Sequence, residues 1–335
     1  MLLLSLAHSF PLSEAPDRFP SQHSKIPSSR TKSPSGFLRF PSERRFHAKS
    51  ARTEDDSIQN PPISPGTGSP AASSFLSVLC PLLKFFGGGD PSQERNDLLE
   101  VATSSLSSLA RLPWGSRTSI STTQSIDSTA NPPKLQLYEF EACPFCRRVR
   151  EAMTELDLSA EVYPCPKGSV RHREIVRKIG GQQQFPFLVD LNTGVSLYES
   201  GDIVKYLFQQ YGQGRNASFG LLESTVLTGW VPTLLRAGRG MTTWERAKPD
   251  APTKLLELFS YENNAYARIV REALCELELP YILHNVGEGS SKYELLVKES
   301  SSKEIPYLVD PNTGVKMGDY KKILSYLFQT YSKES

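Results

Sequence analysis

Residues 135–156 read LQLYEFEACPFCRRVREAMTEL, and this stretch decides the fold. Its first six residues alternate largely between apolar and polar side chains, which predicts a β-strand at 135–140. From 144 to 156 the apolar residues fall on one helical face, which predicts a helix. The CPFC motif at 143–146 therefore lies where a strand passes into a helix.

Three segments of this region recur farther along the chain. They are VREAMTELDL (149–158) as VREALCELEL (270–279), PFLVDLNTGV (186–195) as PYLVDPNTGV (306–315), and YLFQQY (206–211) as YLFQTY (326–331). Because all three matches keep an offset of 120 or 121 residues, the sequence indicates an internal duplication.

The first repeat continues with a further series of predicted elements. They are a strand at 160–164, a helix at 170–179, a strand at 187–190, a turn at Asn192-Thr193-Gly194 with a short strand, and a helix from Ser200 to Tyr211. The order βαβαββα implies a mixed sheet with helices on both faces. It resembles the order of thioredoxin-like domains, so the predicted fold class is α/β with two such domains in tandem.

Each repeat follows a predicted helical arm, at 98–118 and 221–242. The first arm opens with Leu98-Leu99-Glu100 and the second with Leu221-Leu222-Glu223. The predicted domains are a transit peptide and disordered tail (1–75), an apolar segment and arm (76–133), the first thioredoxin-like domain (134–212), an arm and linker (213–253), and a degenerate second domain (254–332).

The first 75 residues are rich in Ser, Pro and Arg and show little apolar periodicity. An acid-poor start of this kind is typical of an organelle transit peptide. We expect a chloroplast address, in the stroma, with a mitochondrial address as second choice and a plain disordered tail as the remaining alternative. A secretory signal is disfavoured because no basic residue precedes the short run MLLLSLA.

Residues 75–86, FLSVLCPLLKFF, form the most apolar run. The run is too short to span a bilayer and contains Pro81 and Lys84, so we expect a packing segment and no integral membrane span. Cys80 within it is expected to be a buried or incidental thiol.

Overall composition narrows the function classes. The net charge of +2 gives no argument for nucleic acid as a partner. The five cysteines are Cys80, Cys143, Cys146, Cys165 and Cys275. They are too few and too scattered for a disulfide scaffold, and they show no zinc-ligand spacing, so no metal is expected.

Physical chemistry favours a reactive thiol at Cys143. At a helix start its sulfur would lie near unpaired amides and the positive end of the dipole, and Pro144 suits the first helical position. Arg147 and Arg148 would add positive charge and favour the thiolate, which is the attacking species. Cys146 would resolve the resulting mixed disulfide. The alternatives are a pair of inert packing thiols or, with less support, half of a zinc site.

Residues 134–212 resemble the N-terminal domain of glutathione transferases and equally the glutaredoxins, and the CPFC motif is similar to that of the membrane-associated prostaglandin E synthase type 2 family. The resemblance implies glutathione as co-substrate. It also implies a cis proline at Pro186, with the backbone of Phe185 binding the cysteinyl part of glutathione. Glu199 and Ser200 would hold the γ-glutamyl group.

Each of these roles has a plain alternative. Pro186 would simply begin an edge strand, and Ser200 would act only as the N-cap of its helix. Lys167, Arg171 and Arg173 would meet the glycyl carboxylate, although a solvated basic helix is the expected reading. Cys165 is expected to be an inert thiol at a strand end, with a regulatory role as the alternative.

The second repeat has lost the dithiol. Cys143 corresponds to Asn264 and Cys146 to Ala267, while Ile305-Pro306 keeps the proline. Glu199-Ser200 becomes Asp319-Tyr320, and Cys275 lies too far along its helix to replace the nucleophile. We therefore expect a structural or recognition domain.

The predicted function is that of a glutathione-linked thiol-disulfide oxidoreductase acting on glutathione or protein disulfides. One alternative is conjugation or isomerisation of a small electrophile, as in glutathione transferases. It is weakened because the arms are too short to form the large all-helical domain of those enzymes. The other is a non-catalytic binding or assembly protein with a vestigial dithiol. The oligomeric state is left open.

Overall fold

The computed structural model describes residues 90–93, 96–119 and 134–333. The predicted tail at 1–75 and the apolar run at 75–86, with Cys80, lie outside these residues.

The two repeats have the predicted order of elements. The first repeat contains β1 (Leu135–Glu139), α2 (Pro144–Glu155), β2 (Ala160–Pro164), α3 (His172–Gly180), β3 (Phe187–Asp190), β4 (Val195–Leu197) and α4 (Ser200–Tyr211). The second contains β5 (Leu256–Ser260), α7 (Ala265–Glu276), β6 (Tyr281–Asn285), α8 (Tyr293–Ser300), β7 (Tyr307–Asp310), β8 (Val315–Met317) and α9 (Tyr320–Thr330). The arms form α1 (Asp97–Leu109), α5 (Ser224–Thr228) and α6 (Trp230–Leu235). The βαβαββα prediction is confirmed in both repeats.

All eight described strands form one sheet in the order β4-β3-β1-β2-β6-β5-β7-β8. Within each repeat the first two strands are parallel and the others antiparallel. The repeats join edge to edge where β2 pairs antiparallel with β6, with Glu161 opposite Ile282. This junction leaves neither β2 nor β6 as an open edge, and it was not predicted from the sequence.

The repeated PxLVDxNTGV and YLFQxY segments have a shared structural cause. The carboxylate of Asp190 accepts hydrogen bonds from the backbone amide of Asn192 at 2.9 Å and from the hydroxyls of Tyr206 and Tyr211 at 2.6 and 2.5 Å. Asp310 makes the equivalent bonds in the second repeat. Each aspartate therefore fastens the β-hairpin turn to the last helix, so the two sequence segments belong to one contact.

The arms are exchanged between the repeats. Helix α1 precedes the first repeat but packs against α7 of the second, where Ser104 Oγ donates to the carbonyl of Ala265 at 2.7 Å. Helices α5 and α6 precede the second repeat but pack against α2 of the first, where Thr233 Oγ1 donates to the carbonyl of Ala142 at 2.6 Å. The helices of each arm thus pack on the other repeat, while Arg111 and Arg236 bind the repeat that follows their own arm.

The arms repeat in a register that differs from the predicted one. Arg111 forms a bidentate ion pair with Glu151, and Arg236 forms the equivalent pair with Glu272, so the structural offset between the arms is 125 residues. The prediction aligned Leu98 with Leu221, an offset of 123, and is wrong by two residues.

Buried charges hold α2 against α7. Arg150 pairs with Glu139, Glu141 and Glu262, and Arg271 pairs with Glu141 and Glu262. All five side chains are buried. The network therefore links the two repeats, and removing one member would leave an uncompensated buried charge.

No helix in the described ranges is both long and apolar enough to cross a membrane.

Candidate functional site

The CPFC motif lies at the start of α2, as predicted. Cys143 is the N-cap residue, with extended backbone dihedrals, and Pro144 is the first residue of the helix. The Cys143 sulfur accepts a hydrogen bond from the backbone amide of Cys146 at 3.3 Å. The sulfur therefore occupies the position in which a side-chain oxygen usually caps a helix.

The two thiols differ in their acidity. Burial raises the pKa of Cys143, but hydrogen bonds from the Cys146 thiol and from the amides of Cys146 and Phe145 outweigh it and hold that pKa below its ordinary value. Burial and the nearby Cys143 sulfur raise the pKa of Cys146 well above its ordinary value. Of the two thiols, Cys143 is therefore the one that loses its proton more readily.

The predicted contribution of the two arginines to this acidity is wrong. Arg147 is paired with Glu262 at 3.2 Å across the interface between the repeats. Arg148 donates instead to the carbonyl of Leu222 and to the hydroxyls of Thr225 and Ser200. The local hydrogen bonds of the helix start, and not these guanidinium groups, lower the pKa of Cys143.

Both sulfurs are covered by the second arm. Cys143 is 2% exposed and Cys146 is 0% exposed, and both pack in one apolar cluster with Met241. Trp230 packs edge-on against Phe145, one of the two residues between the cysteines. The carbonyl of Met241 accepts a hydrogen bond from the amide of Lys167 at 2.7 Å. A substrate therefore cannot reach the dithiol in this closed arrangement, and Met241 is one of the side chains that enclose it.

The peptide bond between Phe185 and Pro186 is cis, as the resemblance implied, and strand β3 begins at the next residue. No hydrogen bond in the described part of the chain uses the backbone amide or carbonyl of Phe185. The Phe185 ring joins the cluster around the dithiol. The backbone before the cis proline is therefore available to a peptide-like ligand beside the sulfurs.

Glu199 and Ser200 lie at the N-terminus of α4, but the cap assigned to Ser200 is wrong. Glu199 is the N-cap residue, with φ at 61°, and its side chain makes no capping bond. It accepts instead from Gln184, next to Phe185. Ser200 is the first residue of the helix, and its hydroxyl accepts from Arg148 at 3.2 Å. An uncapped helix start beside a guanidinium group suits a carboxylate.

The three basic residues predicted to lie on a solvated helix have separate places. Arg173 stacks on the Phe185 ring, with its guanidinium carbon 4.9 Å from the ring centre, and its Nε donates to the carbonyls of Cys165 and Pro166. Arg171 bonds the carbonyls of Leu277 and Glu278 in the other repeat. Lys167 contributes its backbone to the Met241 segment. Of the three, Arg173 adjoins the site.

The equivalent place in the second repeat is closed. Asn264 Oδ1 accepts from the amide of Ala267 at 2.8 Å, so an amide side chain caps α7 where Cys143 caps α2. At α9 the carboxylate of Asp319 accepts from the amides of Lys321 and Lys322 and occupies that helix start itself. The second repeat retains the fold, but its α7 cap is an amide and not a thiol, and its own carboxylate caps α9 where the first repeat leaves α4 uncapped.

One further thiol reaches the dithiol cluster from the second repeat. Cys275 of α7 packs with Cys143 and Cys146, and its thiol donates to the carbonyl of Gly240 at 3.1 Å. No sequence signal indicated this, because it depends on the exchange of the arms. Burial raises the pKa of Cys275 and of Cys165 well above the ordinary value, so both are poor nucleophiles.

Within residues 90–93, 96–119 and 134–333, no group of three or more His, Cys, Asp or Glu side chains is arranged to hold a metal ion.

These features define a tandem thioredoxin-fold protein with a dithiol in its first repeat. A family model described as the N-terminal domain of glutathione S-transferase matches residues 137–215 and again residues 258–335. Both repeats are therefore similar to the glutathione S-transferase N-terminal domain.

Comparison with individual proteins adds one structure. No curated protein matches the sequence. A solved structure described as "Leishmania TDR1 - a unique trimeric glutathione transferase" is similar at 15% identity, over 60% of this chain and 68% of that chain, with a TM-score of 0.23.

Proposed function

We propose that the protein is a glutathione-linked thiol-disulfide oxidoreductase in which Cys143 is the nucleophile and Cys146 the resolving thiol. The observation that carries the proposal is the position of the Cys143 sulfur at the start of α2, where it accepts from the backbone amide of Cys146, whose own thiol lies in the first turn. These hydrogen bonds favour the thiolate of Cys143 and lower its pKa, whereas burial and the Cys143 sulfur raise the pKa of Cys146. Thiolate is the species that attacks a disulfide.

The first step is an attack by the Cys143 thiolate on the glutathione sulfur of a mixed disulfide. A new S–S bond forms to glutathione, the old bond breaks, and the substrate leaves as a thiolate that takes up a proton. Cys146 then loses its proton to solvent and attacks the Cys143 sulfur. The Cys143–Cys146 disulfide forms and glutathione leaves. Two further glutathione molecules reduce this disulfide and become glutathione disulfide.

Formation of the mixed disulfide also activates Cys146. Two of the causes that raise the pKa of Cys146 are its hydrogen bond to the Cys143 sulfur and the charge of that sulfur. Both disappear once Cys143 is bonded to glutathione, because a disulfide sulfur carries no charge. The pKa of Cys146 then falls at the step in which it must attack.

Three groups of residues around the dithiol suit the three parts of glutathione. The unpaired backbone of Phe185 before Pro186 faces the cysteinyl position by resemblance. The uncapped start of α4, with Ser200 beside Arg148, suits the γ-glutamyl carboxylate. Arg173, stacked on Phe185, lies on the third side and suits the glycyl carboxylate. Glu199 shapes this site through Gln184.

The test is reduction of a glutathione mixed disulfide by the full-length protein. We expect Cys143→Ser to abolish turnover. We expect Cys165→Ser, which removes a buried thiol outside the dithiol cluster, to retain it. Equal rates for the wild type and Cys143→Ser would contradict the catalytic proposal.

A second candidate is a binding or assembly protein in which the dithiol is vestigial. The observation that favours it is the burial of both sulfurs under Met241 and Trp230. It predicts that Cys143 is unreactive in the folded protein and that its pKa is that of a free thiol. Conjugation of electrophiles has less support, because the described residues outside the repeats form only short helical arms.

We also propose delivery to the chloroplast stroma, supported by the Ser- and Arg-rich, acid-poor composition of residues 1–75. Fusing these residues to a fluorescent protein in plant cells tests it. Plastid fluorescence is expected, and a mitochondrial or cytosolic signal would contradict the proposal.

A further inference from the structure

A cleft of about 460 Å³ lies in the second repeat between α7, α9 and the residues that lead into α1. Its apolar surface comes from Ile269 and Ala273 on α7 and from Leu324 and Phe328 on α9. Pro91, Ser92 and Gln93 line it on the side where the described chain begins.

The same groove of the first repeat is filled. There the side chains of Ala217, Leu221 and Leu222 pack into the core cluster with residues of α2 and α4. Leu221 is 0% exposed. Ser218 Oγ adds a hydrogen bond to Glu155. The segment between α4 and α5 therefore covers the groove of its own repeat.

The arm register explains why the second groove stays open. At the structural offset of 125 residues, Ser92, Asn96 and Asp97 take the places of Ala217, Leu221 and Leu222. All three are polar, and Asn96 is committed to capping α1 through the amide of Leu99. The residues that fill the first groove have no apolar equivalent in residues 90–100.

Most of the charged groups that line the cleft are already paired, with Lys322 as the exception. Glu100 and Glu272 both bind Arg236. Asp97 binds Lys321 at 2.8 Å and also accepts from Tyr320. What the cleft chiefly offers is its apolar surface, so an apolar occupant suits it best.

We propose that the chain's own apolar run, Phe75–Phe86, packs into this cleft and covers the second repeat as residues 217–222 cover the first. The run ends four residues before Asp90, and an extended chain spans roughly 14 Å over four residues. Gly87-Gly88-Gly89 allows a sharp turn between them. The run is the most apolar stretch in the sequence and lies directly upstream of the residues that line the cleft.

The native Cys80 in the run provides the test. In full-length protein, Ser325→Cys places a thiol on α9 in the lining of the cleft. The matched control is Lys205→Cys, the equivalent position on α4, where the groove is filled. After mild oxidation, peptide mapping measures the disulfide between residues 80 and 325 or between residues 80 and 205.

We expect the link to residue 325 to form within one chain, at a yield at least about tenfold above that of the control, because docking raises the effective concentration. The double substitution Leu82→Asp and Leu83→Asp should abolish the difference. Equal yields for the two positions would overturn the proposal. A link between two chains would also overturn it and assign the cleft to a second copy.

Discussion

Met241 covers the dithiol, so we expect the substitution Met241→Ala to expose it. The Met241 side chain is 7% exposed and packs in the cluster that contains both sulfurs. Truncating a buried methionine to alanine costs about 2 to 5 kcal/mol. For Met241→Ala we expect a loss at the low end of this range, about 2 kcal/mol. The backbone hydrogen bonds between this segment and Lys167 do not involve the Met241 side chain and remain in place.

The same free energy sets the gain in reactivity. If Cys143 reacts only after the Met241 segment opens locally, a loss of about 2 kcal/mol in the closed state raises the rate about thirtyfold. The assay is alkylation of Cys143 in native full-length protein, followed by mass spectrometry at limiting reagent. Thermal unfolding of the same samples measures the loss of global stability.

Ser116→Ala provides the matched control. Ser116 occupies the corresponding place in the first arm, where its carbonyl accepts from the amide of Glu288 at 3.0 Å. It lies beside the second repeat, so its truncation should leave the alkylation rate of Cys143 unchanged. A rate that stays at the wild-type value in Met241→Ala, in a protein that is measurably less stable, would refute the role of this segment as the cover.

Three further results are expected. Glu262→Gln should lower the free energy of unfolding by about 3 to 5 kcal/mol in urea denaturation, because Arg147, Arg150 and Arg271 lose a shared buried counterion. The control Glu174→Gln breaks an exposed ion pair with Arg177 and should cost at most about 1 kcal/mol. Burial, opposed in part by Arg150, raises the pKa of Glu139 from 4.5 to about 7. The folded state therefore holds this proton more tightly than the unfolded state does, and the free energy of unfolding should fall as pH rises between these two values. Glu139→Gln should flatten that slope in urea titrations across this range, and an unchanged slope would contradict the assignment. Cys146→Ser should still form a mixed disulfide between Cys143 and glutathione by mass spectrometry but should lose the intramolecular disulfide; loss of both would contradict the roles assigned to the two thiols.

The sequence predicted what depends on local pattern. The CPFC motif, the helix that follows it and the turn at Asn192-Thr193-Gly194 are each encoded within about 25 residues, so periodicity and motif spacing sufficed. The duplication then carried these predictions to the second repeat. The cis bond at Pro186 came from the resemblance and is present in the structure.

The sequence did not predict what depends on contacts between distant segments. The pairing of β2 with β6, the exchange of the arms and the cover by Met241 each join residues far apart in the chain. Arg147 and Arg148 were misassigned for this reason, since Glu262 and Thr225 that engage them lie more than 70 residues away. Ser200 was misassigned as a cap because the helix begins one residue earlier than its side chain suggested.

The acidity of Cys143 tests the central claim most directly. The measurement is the pH dependence of Cys143 alkylation in the full-length protein, with Cys143→Ser as the baseline and Cys146→Ala to remove one hydrogen-bond donor. We expect half-titration below the value of about 8.5 for a free thiol, and a rise toward that value in Cys146→Ala. A wild-type Cys143 that titrates at or above the free-thiol value would contradict the account.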